Sequence, residues 1–210
     1  VKGAEGDAFV CETAGNLVKR YDLQDQNGVP TATPVHEKSE FLASTDERFR
    51  PVNLLTGPDG GLYIVDFARG IVQHRIYMTS WLRKQVEERE LAAPIGMGRI
   101  WRVVDEDSAT DIVRPDLTRM ENFELAELMT SNPNGALRDT AQRLLVERTA
   151  LDVSDQLRRF ASDQKMASRY RLHAIWTLQG IDSIDSSIIE MLATDPDPLI
   201  REHAARVSES

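Results

Sequence analysis

Phe49-Arg50-Pro51-Val52-Asn53-Leu54-Leu55-Thr56-Gly57-Pro58-Asp59-Gly60-Gly61-Leu62-Tyr63-Ile64-Val65-Asp66 is the stretch on which the fold reading turns. Two apolar segments flank a Gly-Pro-Asp-Gly-Gly turn, whose proline presets φ and whose glycines accept the left-handed backbone a tight turn needs. The second segment ends on an acid, Asp66. A polar loop follows, Arg69-Gly70-Ile71-Val72-Gln73-His74-Arg75, then a short helix, and the chain returns to strand at Gly98-Arg99-Ile100-Trp101-Arg102-Val103-Val104. This order of elements predicts a β-propeller blade. Propellers carry function on the loops and strand ends around their axis, which places Asp66, Arg69 and His74 at a candidate site.

Upstream, the chain alternates with period two. Asp7-Ala8-Phe9-Val10-Cys11-Glu12 and Leu17-Val18-Lys19-Arg20-Tyr21 read as strands joined by the turn Thr13-Ala14-Gly15-Asn16. Gln26-Asn27-Gly28 marks a second turn, and Thr31 to Leu42 supplies a further edge strand. Met78, Leu82 and Val86 recur at helical spacing among charged residues, which predicts a helical insertion over about 77–92. Residues 1–105 are therefore expected to hold the last one or two blades of a propeller, and 106–120, with Asp105-Glu106-Asp107-Ser108 and Pro115, to be a linker.

From 121 to 210 the period changes to 3.6. Phe123 to Met129 reads as a helix that Asn132-Pro133-Asn134-Gly135 breaks. Further helices are expected near 136–149, 153–162, 167–179, 186–194 and 197–208. Arg138-x-x-Ala141, Arg171-x-x-Ala174 and Arg201-x-x-Ala204 recur 33 and then 30 residues apart. The small alanines allow close helix approach, and each arginine can reach an adjacent turn. Paired helices at this period predict HEAT-like repeats, an α-solenoid. The fold class expected is thus a two-domain α+β chain, a partial propeller followed by a helical solenoid.

Bulk composition narrows the function. The 210 residues are 41% hydrophobic and 28% charged, enough apolar content for a packed core. A net charge of −9 argues against a general nucleic-acid binder and gives no polybasic membrane signal. No apolar run approaches the roughly 18 residues that span a bilayer, and no signal peptide is visible. Cys11 is the single cysteine, so there is no internal disulfide, no cysteine-rich zinc site and no Cys-x-x-Cys-His haem attachment. Phosphate-binding loops, nucleophile elbows and His-Glu-x-x-His motifs are also absent. Val1 is not an initiator methionine, and the chain is expected to be a piece of a longer protein.

The run from Phe49 to Gly60, the loop Asp66-x-x-Arg69-Gly70-x-x-Gln73-His74 and the strand Gly98-Arg99-Ile100-x-Arg102-Val103 together resemble large secreted bacterial proteins of the membrane-bound dehydrogenase family. Their propeller is similar to that of soluble pyrroloquinoline-quinone sugar dehydrogenases. Phe9-Val10-Cys11-Glu12 with Gly15-Asn16-Leu17-Val18 fits the preceding blade. Arg171-Leu172-His173-Ala174-Ile175-Trp176-Thr177-Leu178 and Asp195-Pro196-Asp197-Pro198 fit its HEAT-like repeats. The resemblance implies a periplasmic or secreted parent, an axial pocket for a sugar-like alcohol, and pyrroloquinoline quinone with Ca²⁺ in the complete protein. It also implies a helical surface that docks a protein partner or a downstream electron-transfer domain. The stretch by itself is expected to be inactive.

Each candidate residue has a functional and a plain reading. In the first, His74 takes the proton of a substrate hydroxyl, Asp66 orients His74, and Arg69 pairs with cofactor carboxylates. In the second, Asp66 caps its loop, Arg69 pairs with it, and His74 is an ordinary polar residue. Arg50 and Asn53, at the start of the strand, are read as cofactor-binding, with a salt bridge from Arg50 to Asp46 or Glu47 as the alternative. Glu12 and Asn16 offer too few oxygens for a cation, and no metal ligands are assigned. His173 and His203 occupy matching helix positions, which favours packing or inter-helix hydrogen bonds over metal. The rival to the dehydrogenase is a non-catalytic scaffold that binds protein or carbohydrate.

Overall fold

A computed structural model describes residues 3–26, 29–106 and 115–209. The chain divides into two compact units, Val1–Ile112 and Val113–Ser210.

The first unit is built from two small antiparallel sheets. Strands β1 (Ala8–Glu12), β2 (Leu17–Gln26), β3 (Val29–Pro34) and β4 (Leu42–Ala43) form one; β5 (Pro51–Thr56), β6 (Leu62–Asp66) and β7 (Arg99–Val103) form the other. Asn16 closes the β1–β2 turn at φ 59°, a left-handed value that asparagine tolerates better than most residues. β1 covers one edge of β2, pairing Glu12 with Leu17 and Ala8 with Tyr21. The opposite edge is shared: β3 pairs with Tyr21 to Gln26, and β4 pairs with Leu17 and Val18.

The Pro58-Asp59-Gly60-Gly61 turn forms as its residues require. Gly60 has φ +76°, and the Gly57 amide donates to the Gly61 carbonyl at 2.8 Å. Asp59 accepts from the Gly61 amide, the Tyr63 hydroxyl and Arg102 Nε, which ties the turn to β7. Along β6 the alternation is strict, with Leu62, Ile64 and Asp66 buried on one face. Val18, Phe49, Leu62 and Ile64 form the core, with Phe9, Phe41, Leu42, Leu54 and Val103 packed against it. Helix α1 (Ser80–Glu88) lies between β6 and β7 in sequence, with Thr79 Oγ1 accepting from the Leu82 amide as its N-cap.

The second unit is helical: α2 (Asn122–Ser131), α3 (Gly135–Glu147), α4 (Ser154–Ser162), α5 (Ser168–Gly180), α6 (Ser186–Ala193) and α7 (Pro198–Ser208). Its core runs through Leu125, Met129, Leu145, Leu157, Ile175, Leu178, Leu192 and Ile200, all fully buried. α5 packs against α2, α3, α4 and α7. Gly180 lets α5 approach α3, since a Cβ there would stand 2.6 Å from Val146 Cγ2.

The architecture corrects the expected fold class. Among the described residues the strands make a four-stranded and a three-stranded sheet, neither closed, and no propeller blade is formed. A blade is four antiparallel strands, each paired with the next in order; in the first sheet β3 and β4 share one edge of β2, and the second, though ordered β5-β6-β7, has three strands. Period-two patterning specifies hairpins and buried faces; it does not specify how many strands follow one another across a sheet. The helices likewise form a small bundle about one core with α5 at its centre, not an extended solenoid of self-similar repeats. The turn at Gln26-Asn27-Gly28 and most of the 106–120 linker lie outside the described residues.

The recurring arginines are used in two ways. Arg138 Nη1 donates to the carbonyls of Asn132 and Pro133, and Arg201 Nη1 to those of Asp195 and Pro196, so each holds the turn before its own helix. Arg171 turns inward instead. It is 2% exposed, donates to the Ala161 carbonyl and forms a two-pronged ion pair with buried Asp195. His173 accepts from Arg138 Nε and bonds Gln142 Oε1 through its other nitrogen. Burial and the adjacent Arg138 charge lower its pKa, against a smaller opposing pull from Asp139. His203 Nδ1 accepts from Trp176 Nε1.

Arg171→Met leaves the Asp195 carboxylate buried without its cation, and removing one partner of such a pair costs about 3–5 kcal/mol. Arg171→Met/Asp195→Leu is expected to recover much of that loss. Urea denaturation of the full chain, followed by the Trp176 signal, checks both; equal stability of the single variant and the parent would contradict the role given to the pair.

Candidate functional site

Asp66 ends the apolar alternation of β6 on its core-facing side and is 1% exposed. A carboxylate there must find donors, and it finds four. Oδ1 accepts from the backbone amides of Arg50 and Ala68, each at 2.8 Å. Oδ2 accepts from Arg99 Nε at 2.8 Å and Trp101 Nε1 at 2.9 Å. Burial raises the pKa of Asp66, but the bonds from Trp101, the two amides and Arg99 outweigh it and hold the acid below the usual carboxylate range. Arg99 also pairs with Asp46 and lies over the Trp101 ring.

The chain leaves Asp66 through a strained residue. Ala68 is buried with φ 49°, a left-handed conformation unfavourable for an ordinary side chain. The amide bond to Asp66 supports it there. Next, the Arg50 guanidinium takes hold of the loop, with Nε donating to the Arg69 carbonyl at 2.9 Å and Nη2 to the Gly70 carbonyl at 2.8 Å. Its Nη1 reaches the β1–β2 turn, bonding the carbonyls of Thr13 and Ala14 and Asn16 Oδ1. Gly70 then packs against Leu91 so closely that a Cβ would lie 2.5 Å from the Leu91 carbonyl oxygen. Arg48 fixes the segment after α1 through the carbonyls of Glu90 and Ala93.

Between this loop and α1 opens a cleft of about 610 Å³. Phe67, Ile71, Val72, Met78 and Val86 give it an apolar lining. Arg69, His74, Arg75 and Arg83 bring cationic or titratable groups to it, with Gln73 and one acid, Glu87. Arg69 lies over the Phe67 ring, its guanidinium carbon 5.9 Å from the centroid. Arg83 Nη2 donates to the Arg75 carbonyl at 3.3 Å. Among the described residues, no carboxylate lies within ion-pair distance of Arg69, Arg75 or Arg83. The exposed His74 ring meets Tyr77 edge-on at 6.4 Å. The cleft is therefore cationic on a chain whose net charge is −9.

The residues singled out in the sequence separate into two groups. Arg69 and His74 come together in the cleft. Asp66, Arg50 and Asn53 do not line it. Asp66 is held by four donors, none of them His74. Arg50 is the strut behind the loop and bonds neither Asp46 nor Glu47; those acids pair with Arg99 and Arg89. Asn53 sits at an irregularity in the β5–β6 register, where its Oδ1 accepts from the Leu54 amide. Arg75 and Arg83 complete the cleft and were not picked out. Arg75 reads as one more member of a polar run, and Arg83 as one of several charges on a helix with no spacing that sets it apart. Among the described residues, no group of three or more His, Cys, Asp or Glu side chains could hold a metal ion.

Comparison with known proteins assigns the unit that carries this cleft. A family model described as a domain of unknown function, DUF7133, matches residues 1–107, and the chain belongs to that family. No curated protein matches the chain. No solved structure matches it either. Among the described residues, no helix is long and apolar enough to cross a membrane.

Asp66→Asn removes the negative charge that four donors surround, at an expected cost of about 3 kcal/mol. Because the folded state depresses the Asp66 pKa, the charge stabilises the fold above the ordinary aspartate range of about 3.9, and that contribution is lost as pH falls towards the lower folded-state value. The difference in melting temperature between parent and variant is therefore expected to be full at neutral pH and to shrink below about pH 4. A difference independent of pH would show that the charge does not matter.

Proposed function

We propose that the first unit is a binding module whose cleft, between the 67–75 loop and α1, receives an anionic ligand. One observation carries this reading: Arg69, Arg75 and Arg83 converge on one concave surface without carboxylate partners among the described residues. Guanidinium groups in that state attract carboxylate, phosphate or sulfate groups and offer several N–H donors each. The apolar lining between them favours a ligand with an apolar portion beside its charge. Arg50 and Asp66 support the module from behind by fixing the loop backbone.

The test is calorimetric titration of the full chain with citrate at low and moderate salt. Saturable binding that weakens with salt is expected, and Arg75→Gln/Arg83→Gln is expected to weaken it by about 1.5–3 kcal/mol for each charge-assisted bond lost. Heats without saturation in the parent would reject the reading.

A second reading has one observation in its favour, that Arg69 and His74 line the same cleft. In it the chain belongs to an extracytoplasmic quinone-dependent dehydrogenase of sugar-like alcohols. Pyrroloquinoline quinone would supply the electron-accepting chemistry. Arg69 pairs with carboxylates, and His74 holds the hydroxyl proton at an imidazole nitrogen. Asp66 has no part in that chemistry, its oxygens being committed to structure, and nothing is assigned to Ca²⁺. Absorbance titration with the quinone, on the parent and on His74→Ala, separates the readings. Saturable binding with dye-linked alcohol oxidation that the variant loses supports the dehydrogenase; citrate binding without quinone binding leaves the module alone.

A further inference from the structure

The cleft does not end at α1. A second depression of about 670 Å³ adjoins it, lined by Val86, Glu87, Glu90, Ala92, Ala93 and Pro94. Val86, Glu87 and Ala92 belong to both, so the two form one groove that passes the last turn of α1 and follows the segment after it. The segment is anchored from behind by Arg48 through the Glu90 and Ala93 carbonyls.

The groove is chemically graded. Arg69, Arg75 and Arg83 stand at one end. Glu90, Ala93 and Pro94 line the other alone, and Val86, Glu87 and Ala92 lie where the two meet. A compact anion would occupy the first end only and leave the second unused. An alkyl chain would lie against the second end with its outer side in water, because Glu87, Glu90, Ala92, Ala93 and Pro94 are all exposed. An extended peptide suits such a surface better. Its side chains alternate between groove and solvent, and its amides find acceptors in the two glutamates.

We propose that the groove binds an extended acidic peptide, with its carboxylates at Arg69, Arg75 and Arg83 and its small apolar side chains over Ala92, Ala93 and Pro94. This rests on the anion-binding reading of the cleft and goes beyond it by naming the ligand as polypeptide. The complementarity of charge is what commits the groove to an acidic partner, since among the described residues these three arginines have no carboxylate partner, on a chain of net charge −9.

Fluorescence anisotropy on the full chain tests it, with a labelled hexapeptide carrying two glutamates at one end and valines at the other. Its glutamine analogue, citrate and decanoate serve as competitors. The hexapeptide is expected to bind at least about tenfold more tightly than citrate, and the glutamine analogue to compete poorly. Arg75→Gln is expected to weaken both hexapeptide and citrate. Ala93→Asp, which sets a negative charge in the apolar end, is expected to weaken the hexapeptide about tenfold and leave citrate unchanged, citrate binding also reporting that the variant is folded. Equal affinity for citrate and hexapeptide, with no effect of Ala93→Asp, overturns the peptide proposal and leaves the anion site standing. Decanoate binding more tightly than the hexapeptide overturns it in favour of an amphiphile. Binding of neither citrate nor hexapeptide overturns both readings.

Discussion

A carboxylate on the buried face of a strand has to be surrounded by donors, and in the first unit that requirement falls on Asp66. Its position follows from the pleat: Leu62 and Ile64 point into the core, and two residues on the acid must point there too. Arg99 and Trp101 come from β7, the Arg50 amide from the start of β5, and the Ala68 amide from the loop. One side chain thus fixes the register of a neighbouring strand, the entry to another and the left-handed exit of its own. An apolar residue at the same place would fill the space and leave the buried Ala68 amide and the half-buried Arg50 amide without acceptors, which is the costlier arrangement.

From this point the cleft follows by a short chain of contacts. The Asp66 acceptor holds Ala68 in its strained conformation, the strain aims the chain at Arg50, and the guanidinium fixes two successive carbonyls of the loop. Gly70 can then close against Leu91, and the side chains of residues 71–75 are left to face α1. The cationic groups are accordingly carried on backbone that is held from behind. This is the condition under which a binding surface keeps its geometry before a ligand arrives.

Much of this was legible before the structure. The Pro-Asp-Gly-Gly turn, the hairpin that Asn16 closes and the helices from Asn122 onward have local causes in φ preferences and apolar spacing. The burial of Asp66 follows from the same alternation through Leu62 and Ile64, although its place at the strand end reads first as a site position. The assembly of those elements was not legible. Nothing in the spacing of β2 tells that β3 and β4 share its far edge, and matching Arg-x-x-Ala triplets do not tell whether helix pairs extend or close around α5. The surroundings of single side chains were hidden for the same reason. Arg50 sits where a ligand-binding arginine would, and only the position of the loop carbonyls makes it a strut. Arg75 and Arg83 meet because a loop and a helix converge, which no one-dimensional pattern records.

The two Asx-Pro-Asx turns of the second unit, Asn132-Pro133-Asn134 and Asp195-Pro196-Asp197, adopt the same hydrogen-bonded form. In each, the first side chain accepts from the amide two residues on, the third accepts from the amide two beyond itself, and an arginine six residues after the first clasps the carbonyls. Their difference is ionic. Asp195 has the buried guanidinium of Arg171 within reach, and it carries a carboxylate where Asn132 carries an amide. The molecule thus contains its own isosteric control, a single turn built once neutral and once charged, in which the backbone is indifferent to the substitution and the presence of a neighbouring cation decides which chemistry is admissible.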